Sequence, residues 1–440
     1  MILTLTTMVT GCARATTPSP APFSPQATPQ QMTATTPLSR PSPAASPTMS
    51  TAVPTPLASP TGPNTVSTPS ALTSEPGCVV ERPASWDEAL ERRSLALPEE
   101  LIQDAPGHHF QLFTLSPDGK RWFGVLSATE WSGIVTGLVG DQSYQRVYQI
   151  SNAPVEQVTP LAADERWLAF IWAPNAWWVE WRLFAWDSQT GETFEITRSH
   201  PDEGFLGWQI WPALSHGLLA WVQGELAPPA TPEAPPRMHS ELHVYDLARR
   251  TDRILSTNLP TYPVVFWWPY LIWSELQAPG QRGQLVMADA QTGAPVPLPA
   301  PLAAHQRHVV WLAASPDFLA WSDSRTLWVW RPGQPEAQAL FQKRGKTDDD
   351  AIQFLTIAGP LVSWQPPARP PMVADTRSGS VAEMPGHSAG FGDLLLVLIP
   401  SRWGPPEMDP VFERPFAPPD LARLVPVAAL PPLPACDGGK

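Results

Sequence analysis

Between about residues 110 and 430, short apolar runs alternate with polar turns at regular intervals. Five runs end in a turn that recurs at residues 187, 246, 289, 331 and 375. Leu183-Phe184-Ala185-Trp186-Asp187 leads into Ser188-Gln189-Thr190-Gly191, and Leu285-Val286-Met287-Ala288-Asp289 into Ala290-Gln291-Thr292-Gly293. Met372-Val373-Ala374-Asp375 leads into Thr376-Arg377-Ser378-Gly379. Asp246 opens a version without the Gly, and Arg331-Pro332-Gly333 is a shortened one. An Asp at the head of such a turn accepts backbone N–H bonds, and the Gly supplies the positive φ that a bulged hairpin needs. Asp187, Asp246, Asp289 and Asp375, with Gly191, Gly293 and Gly379, therefore read as structural turn residues and not as catalysts.

A second landmark precedes each turn: Leu168 to Trp172, Leu219 to Trp221, Leu271 to Trp273, Leu319 to Trp321 and Leu361 to Trp364. Both faces of these strands are apolar or small, as in a strand covered on both sides. A Trp repeated once per unit reads as packing between units. Each unit has 40–50 residues and reads as four short strands, too thin to bury both faces alone. Such units stack, and joining the last to the first removes the open ends. The predicted fold class is all-β, a single seven-bladed β-propeller, with six blades as the alternative if the first and last segments merge. The first unit covers about 110–152 and a degenerate last one 391–430.

Ser116-Pro117-Asp118-Gly119-Lys120-Arg121-Trp122 resembles the SPDG turn of the TolB-type, WD40-like propeller repeats. Ser315-Pro316-Asp317 keeps three of its four residues. The resemblance implies a periplasmic or surface propeller with a binding role and no particular ligand.

Composition divides the chain. Residues 13–76 hold 15 Pro and 23 Ser or Thr with three charges, so they cannot bury enough apolar surface to offset chain entropy. They read as a disordered, Pro-stiffened tether, with the propeller domain over 77–440. The start, residues 1–12, is apolar and ends in Val9-Thr10-Gly11-Cys12, which resembles the lipobox of bacterial lipoproteins. That resemblance implies a signal segment and lipidation at Cys12, although no Lys or Arg precedes the apolar run. The expected location is extracytoplasmic, with a lipid as the sole membrane attachment. Two cysteines remain, Cys78 and Cys436, one at each end of the folded region. In an oxidising compartment they are expected to pair and lock the ring, with two free thiols as the alternative.

Charge excludes one class of partner. The chain carries −13 overall, and past residue 76 it holds 26 basic against 40 acidic side chains. Nucleic acid calls for a basic stripe, which is lacking.

Candidate chemistry is sparse. Gly386-His387-Ser388-Ala389-Gly390 matches a nucleophile elbow in letters, but that elbow needs a helix after it and a His downstream. His239 and His243 have a zinc-like spacing but enter a strand, and Asp348-Asp349-Asp350 lacks the pattern of a calcium loop. No catalytic residue, metal ligand or cofactor is predicted. Ser85-Trp86-Asp87-Glu88 has the form of a capping box opening a short helix through Arg93. Trp177, Trp178 and Trp181 are possible ligand contacts by stacking, with core packing as the alternative. The long Pro-rich links after the Trp strands, residues 223–240, 275–284, 365–371 and 401–419, point to one face as the binding face. The expected function is a non-catalytic binding or scaffold module for an envelope protein or glycan. The alternative is an enzyme acting on glycans or lactones through the central channel.

Overall fold

A computed structural model of the chain describes residues 78–92, 109–127, 131–141, 143–151, 156–174, 180–199, 211–227, 237–258, 260–276, 283–323, 325–343, 351–367, 369–399, 407–408, 415–416 and 421–436. Cys12 and the 13–76 segment lie outside these residues, as do Trp177, Trp178 and Asp348 to Asp350. Six four-stranded antiparallel sheets and one three-stranded sheet follow one another along the chain. They form seven blades: residues 109–151, 157–198, 213–256, 260–309, 311–342, 356–383 and 387–426. The first and last segments are separate sheets, so the count is seven and not six. The last blade starts at 387 and has three strands, and the link between its second and third carries a separate small hairpin, Glu407–Met408 with Pro415–Phe416.

The first strands of successive blades lie side by side, within 8 Å from blade 1 to blade 7, and so line the axis. Seven apolar clusters fill the seven seams between blades. Trp221, Trp273, Trp321 and Trp364 are buried in the 2–3, 3–4, 4–5 and 5–6 seams, and half-buried Trp172 lies against the 1–2 seam. Each faces the preceding blade. Side chains alternate along a strand, so Ala220 and Ala320 face the following one. Each buried indole removes roughly 150–250 Å² from water, worth about 4–6 kcal/mol as an upper figure.

The ring closes between blades 7 and 1 through side chains. Phe110, Leu112, Trp122 and Leu126 meet Leu396, Ala422 and Leu424. Among the described residues no strand is exchanged across this seam. The Ser116–Gly119 turn abuts it closely: a Cβ on Gly119 would sit 2.2 Å from Leu394 Cδ1. Within the turn, Asp118 Oδ1 accepts from Ser116 Oγ at 2.6 Å and from Lys120 N at 3.1 Å. Gly119 has φ +67°. In blade 5, Phe318 replaces that Gly, is buried, and lies under the Arg331 guanidinium.

The two ends of the described domain, residues 78–92 and 427–436, dock on the rim of blades 6 and 7. Residues 78–80 pair in parallel with Ser380–Glu383, the last strand of blade 6, through Val80 N to Val381 O at 2.8 Å and Val381 N to Cys78 O at 3.0 Å. Helix α1, Ala84–Glu91, then buries Trp86 and Leu90 beside Leu430 and Leu433 of the C-terminal tail. Trp86 Nε1 donates to Pro431 O at 2.8 Å. The capping box does not form: Pro83 is the N-cap, Ser85 lies within the first turn, and Asp87 instead accepts from Arg82 Nε at 2.7 Å. The tail crosses blade 6, where Leu433 N donates to Asp375 Oδ2 at 3.0 Å and Ser380 Oγ to Pro434 O at 2.5 Å. Cys78 and Cys436 are paired there, with Cα atoms 6.2 Å apart. The pair thus joins the two ends but sits on the blade 6 rim and not in the 7–1 seam.

The Asp-headed turns are held by bonds from backbone N–H groups to the Asp carboxylates. Asp187 accepts from Gln189 N, Asp289 from Gln291 N and Thr292 N, and Asp375 from Arg377 N. Asp246 accepts from Arg249 N. Gly191, Gly293 and Gly379 have φ +75°, +77° and +76°. In blade 3 Arg250 fills that position at φ +55°, and its side chain reaches Glu192 of blade 2 at 2.6 Å. Arg166 makes a two-pronged pair with the buried Asp187 carboxylate, at 2.9 and 2.6 Å.

Two outcomes test this architecture. Non-reducing peptide mapping should recover a fragment linking Cys78 to Cys436, a pair that closes a 358-residue separation. Replacing both by Ser should lower unfolding free energy by about 2–5 kcal/mol and speed amide exchange in 78–92 and 430–436 more than in the blades. The second concerns Asp187, whose carboxyl is held down from 3.8 to about 2, chiefly by hydrogen bonding to the Arg166 guanidinium. Its contribution is therefore complete above about pH 4 and fades as pH falls toward 2. Asp187→Asn should cost on the order of 1–2 kcal/mol at pH 7. In urea unfolding the gap between variant and parent should narrow at pH 2.5.

Candidate ligand site at the channel mouth

The turns joining first and second strands occupy one face of the ring. Asp164 of blade 2 accepts from Gly217 N of blade 3 at 2.8 Å, and His216 stacks on Trp268 of blade 4 at 4.0 Å. Gly359 N of blade 6 donates to Gly392 O of blade 7 at 2.7 Å. The links joining second and third strands emerge on the opposite face, as do the starts of the inner strands. In blade 3 the hairpin of Leu218–Ala227 with Arg237–Asp246 is paired without a break from Leu218↔Asp246 to Ala227↔Arg237. Residues 223–227 and 237–240, which the sequence reading takes as loop, are therefore strand. The partner strand Ala213–Ser215 has only three residues, so the arms extend well beyond it.

The inner strands are His109–Leu115, Gln157–Ala163, Ala213–Ser215, Pro260–Trp267, Trp311–Ala314, Thr356–Ala358 and His387–Phe391. Their sequences contain no Asp, Glu, Lys or Arg. At the mouth on the loop-bearing face, three aromatic rings converge. Trp211 lies two residues before the inner strand of blade 3, Trp311 opens that of blade 5, and Phe354 lies two before that of blade 6. Ring centroids of Trp311 and Phe354 are 4.5 Å apart, and those of Trp211 and Phe354 6.2 Å, with planes tilted 45° and 47°. Blades 3 and 6 are three steps apart in a ring of seven, so Trp211 and Phe354 meet only across the space their inner strands enclose. Trp211 is 42% exposed.

Local bonding explains Phe354. Ser322 Oγ of blade 5 donates to Ile352 O at 3.2 Å, and Gln365 N of blade 6 donates to Gln353 O at 2.9 Å. Ile352 and Leu355 on either side are buried. The backbone between is turned so that Phe354 takes φ +54°. That conformation costs a bulky residue about 1–2 kcal/mol, and strain of this kind gathers at sites of function.

Residues singled out from the sequence fall elsewhere. Trp181 is buried in the 2–3 seam, its backbone N–H donating to Ser199 Oγ at 2.9 Å, and so belongs to the core and not to a ligand surface. Ser388 and Gly390 lie in the inner strand of blade 7, antiparallel to Leu394–Ile399, and no helix follows. A Cβ on Gly390 would sit 1.9 Å from Ile357 O of blade 6, so the glycine permits close approach of two inner strands. His239, Glu241 and His243 alternate onto one strand face. His239 Nε2 lies 3.0 Å from Glu241 Oε1, His243 Nε2 3.4 Å from Glu241 Oε2, and His243 Nδ1 2.8 Å from Asp252 Oδ2. Among the described residues no group of three or more His, Cys, Asp or Glu is arranged to hold a metal ion. No described helix is long and apolar enough to cross a membrane. The mouth aromatics carry no sequence signal of their own: Trp211 and Phe354 lie outside the repeats, and only the topology brings them together.

No family model and no curated protein matches the chain. Solved structures match in fold. A prolyl endopeptidase is 12% identical with TM-score 0.48, over 78% of this chain and 54% of that one. TolB from Acinetobacter baumannii is 12% identical with TM-score 0.32, over 62% of each chain. The β-propeller domain of the trilobed protease from Pyrococcus furiosus, said to have an open velcro topology, is 11% identical with TM-score 0.42, over 67% of this chain and 90% of that one. The chain spans about half the length of the prolyl endopeptidase and of an acylaminoacyl peptidase it also matches. At these identities the likeness is one of fold alone. The seven sheets in sequence order make this chain a seven-bladed β-propeller.

Proposed function

We propose that this propeller is a non-catalytic binding module, held at the outer side of a cell membrane by a lipid on Cys12, and that its partner meets the face bearing the long links. The observation that carries the reading is an inner wall whose strands hold no Asp, Glu, Lys or Arg. Acid–base and metal chemistry in a channel needs carboxylates, imidazoles or cations converging at its mouth. The inner strands carry two histidines, His109 and His387, and no carboxylate, guanidinium or ammonium. The same face offers an exposed aromatic cluster and an extended hairpin on a rigid ring, the usual site of recognition in such scaffolds. The long Pro- and Ser/Thr-rich segment before residue 77 suits a spacer between anchor and domain. An envelope protein or a glycan are the partners in keeping with that location. The alternative, an enzyme acting on glycans or lactones through the channel, would draw its support from carboxylates around the axis.

Both halves of the proposal are testable. In a bacterial host, radiolabelled palmitate should be incorporated into the full chain and not into Cys12→Ser, which should also leave the membrane fraction. In pull-downs from envelope extracts, deleting residues 228–236 should reduce partner capture at least about tenfold, a loss of ~1.4 kcal/mol, with the urea unfolding midpoint unchanged. Undiminished capture would place the partner elsewhere.

A further inference from the structure

We infer that the aromatic trio Trp211, Trp311 and Phe354 forms a stacking site for an uncharged oligosaccharide at the channel mouth. This rests on the binding reading above and assigns it a site and a ligand class. Two observations point the same way. The first is geometric. Three rings from blades 3, 5 and 6 converge with planes inclined by 45° and 47°, and one of them stays 42% exposed. Phe354 is held in the cluster against its backbone preference. A core cluster would have no need to leave a Trp in water or to strain a neighbour. Inclined rings at a mouth present two faces to a ligand that is itself built of successive non-coplanar rings. The apolar C–H face of a pyranose packs on an indole while its hydroxyls remain in water or meet polar groups.

The second observation is electrostatic. The inner strands have no guanidinium, ammonium or carboxylate, and their polar residues are Ser, Thr, Tyr and Gln with the two histidines His109 and His387. A ligand charged on every unit would lose hydration on entry and gain no counter-charge. A neutral glycan loses much less. The chain's net charge of −13 acts further against polyanions approaching this mouth. A Pro-rich peptide also stacks on aromatic rings, but it is read in a groove along one direction, whereas these rings close over an axis.

The test is calorimetric titration of the full chain with cellohexaose, laminarihexaose and chitohexaose. An oligosaccharide bearing a carboxylate on every ring and a Pro-rich peptide serve as comparators. At least one neutral hexasaccharide should bind. Trp211→Ala should weaken it about tenfold or more, Trp211→Phe should restore most of the loss, and both variants should keep the parent's urea midpoint. Binding that Trp211→Ala leaves unchanged overturns the assignment, as does capture of the acidic oligosaccharide or the peptide in preference to every neutral glycan. A silent panel alongside specific protein capture in the pull-down sinks this site and leaves the binding reading standing. Silence in both sinks both.

Discussion

Each sheet of this protein has two apolar faces, and four strands cannot shelter both. Everything else in the ring answers that requirement. Blade 3 lends Trp221 and Leu219 to one neighbour and Ala220 and Val244 to the other. A linear stack of such units would leave an oily face at each end. Bending the stack until blade 7 reaches blade 1 covers both with Phe110, Trp122, Leu396 and Leu424. Among the described residues that last seam, like the others, is held by side-chain packing and tight turns and not by a shared strand. The close fit of Gly119 against Leu394 and of Gly392 against Pro117 belongs there for the same reason: sheets joined without a ladder must approach closely.

The polar groups of the turn face add a second layer of ties. Arg250 reaches Glu192 of blade 2, and Arg253 donates to Ala290 O and Gln291 O of blade 4. Arg331 of blade 5 donates to Thr376 Oγ1 of blade 6 at 2.7 Å. Such contacts contribute little each where they are exposed. Their value lies in register, since each fixes one blade's turn against the next. The opposite face has the longer links and the aromatic mouth.

Much of the fold is legible in the sequence because its causes are local. The Asp and Gly of the turns are dictated by backbone geometry four residues apart, so they recur wherever the geometry does. The Trp of the second strand recurs because each seam poses the same packing problem. Sequence falls short where the cause is distant. The blade 3 hairpin reads as loop because its arms are polar and Pro-flanked, yet a ten-residue ladder carries them into strand. Ser85 has the right spacing for a cap but the helix begins at Ala84, with Pro83 as its N-cap. Trp181 has the chemistry of a contact residue and is taken by the 2–3 seam. Trp211 and Phe354 are 143 residues apart and meet only because seven units bring their ends to a common axis. No periodicity along the chain encodes that meeting.

The docking of residues 78–80 and 433–436 on blade 6 has a mechanical consequence. A domain hung from a surface by its first residues feels any drag at the point where the leash enters. Were that point blade 1, pulling would peel the unlaced seam open one strand at a time. A pull on the chain at Cys78 would pass through its sulfur to Cys436 and into the edge of blade 6. The seam between blades 7 and 1 would lie outside that line of force.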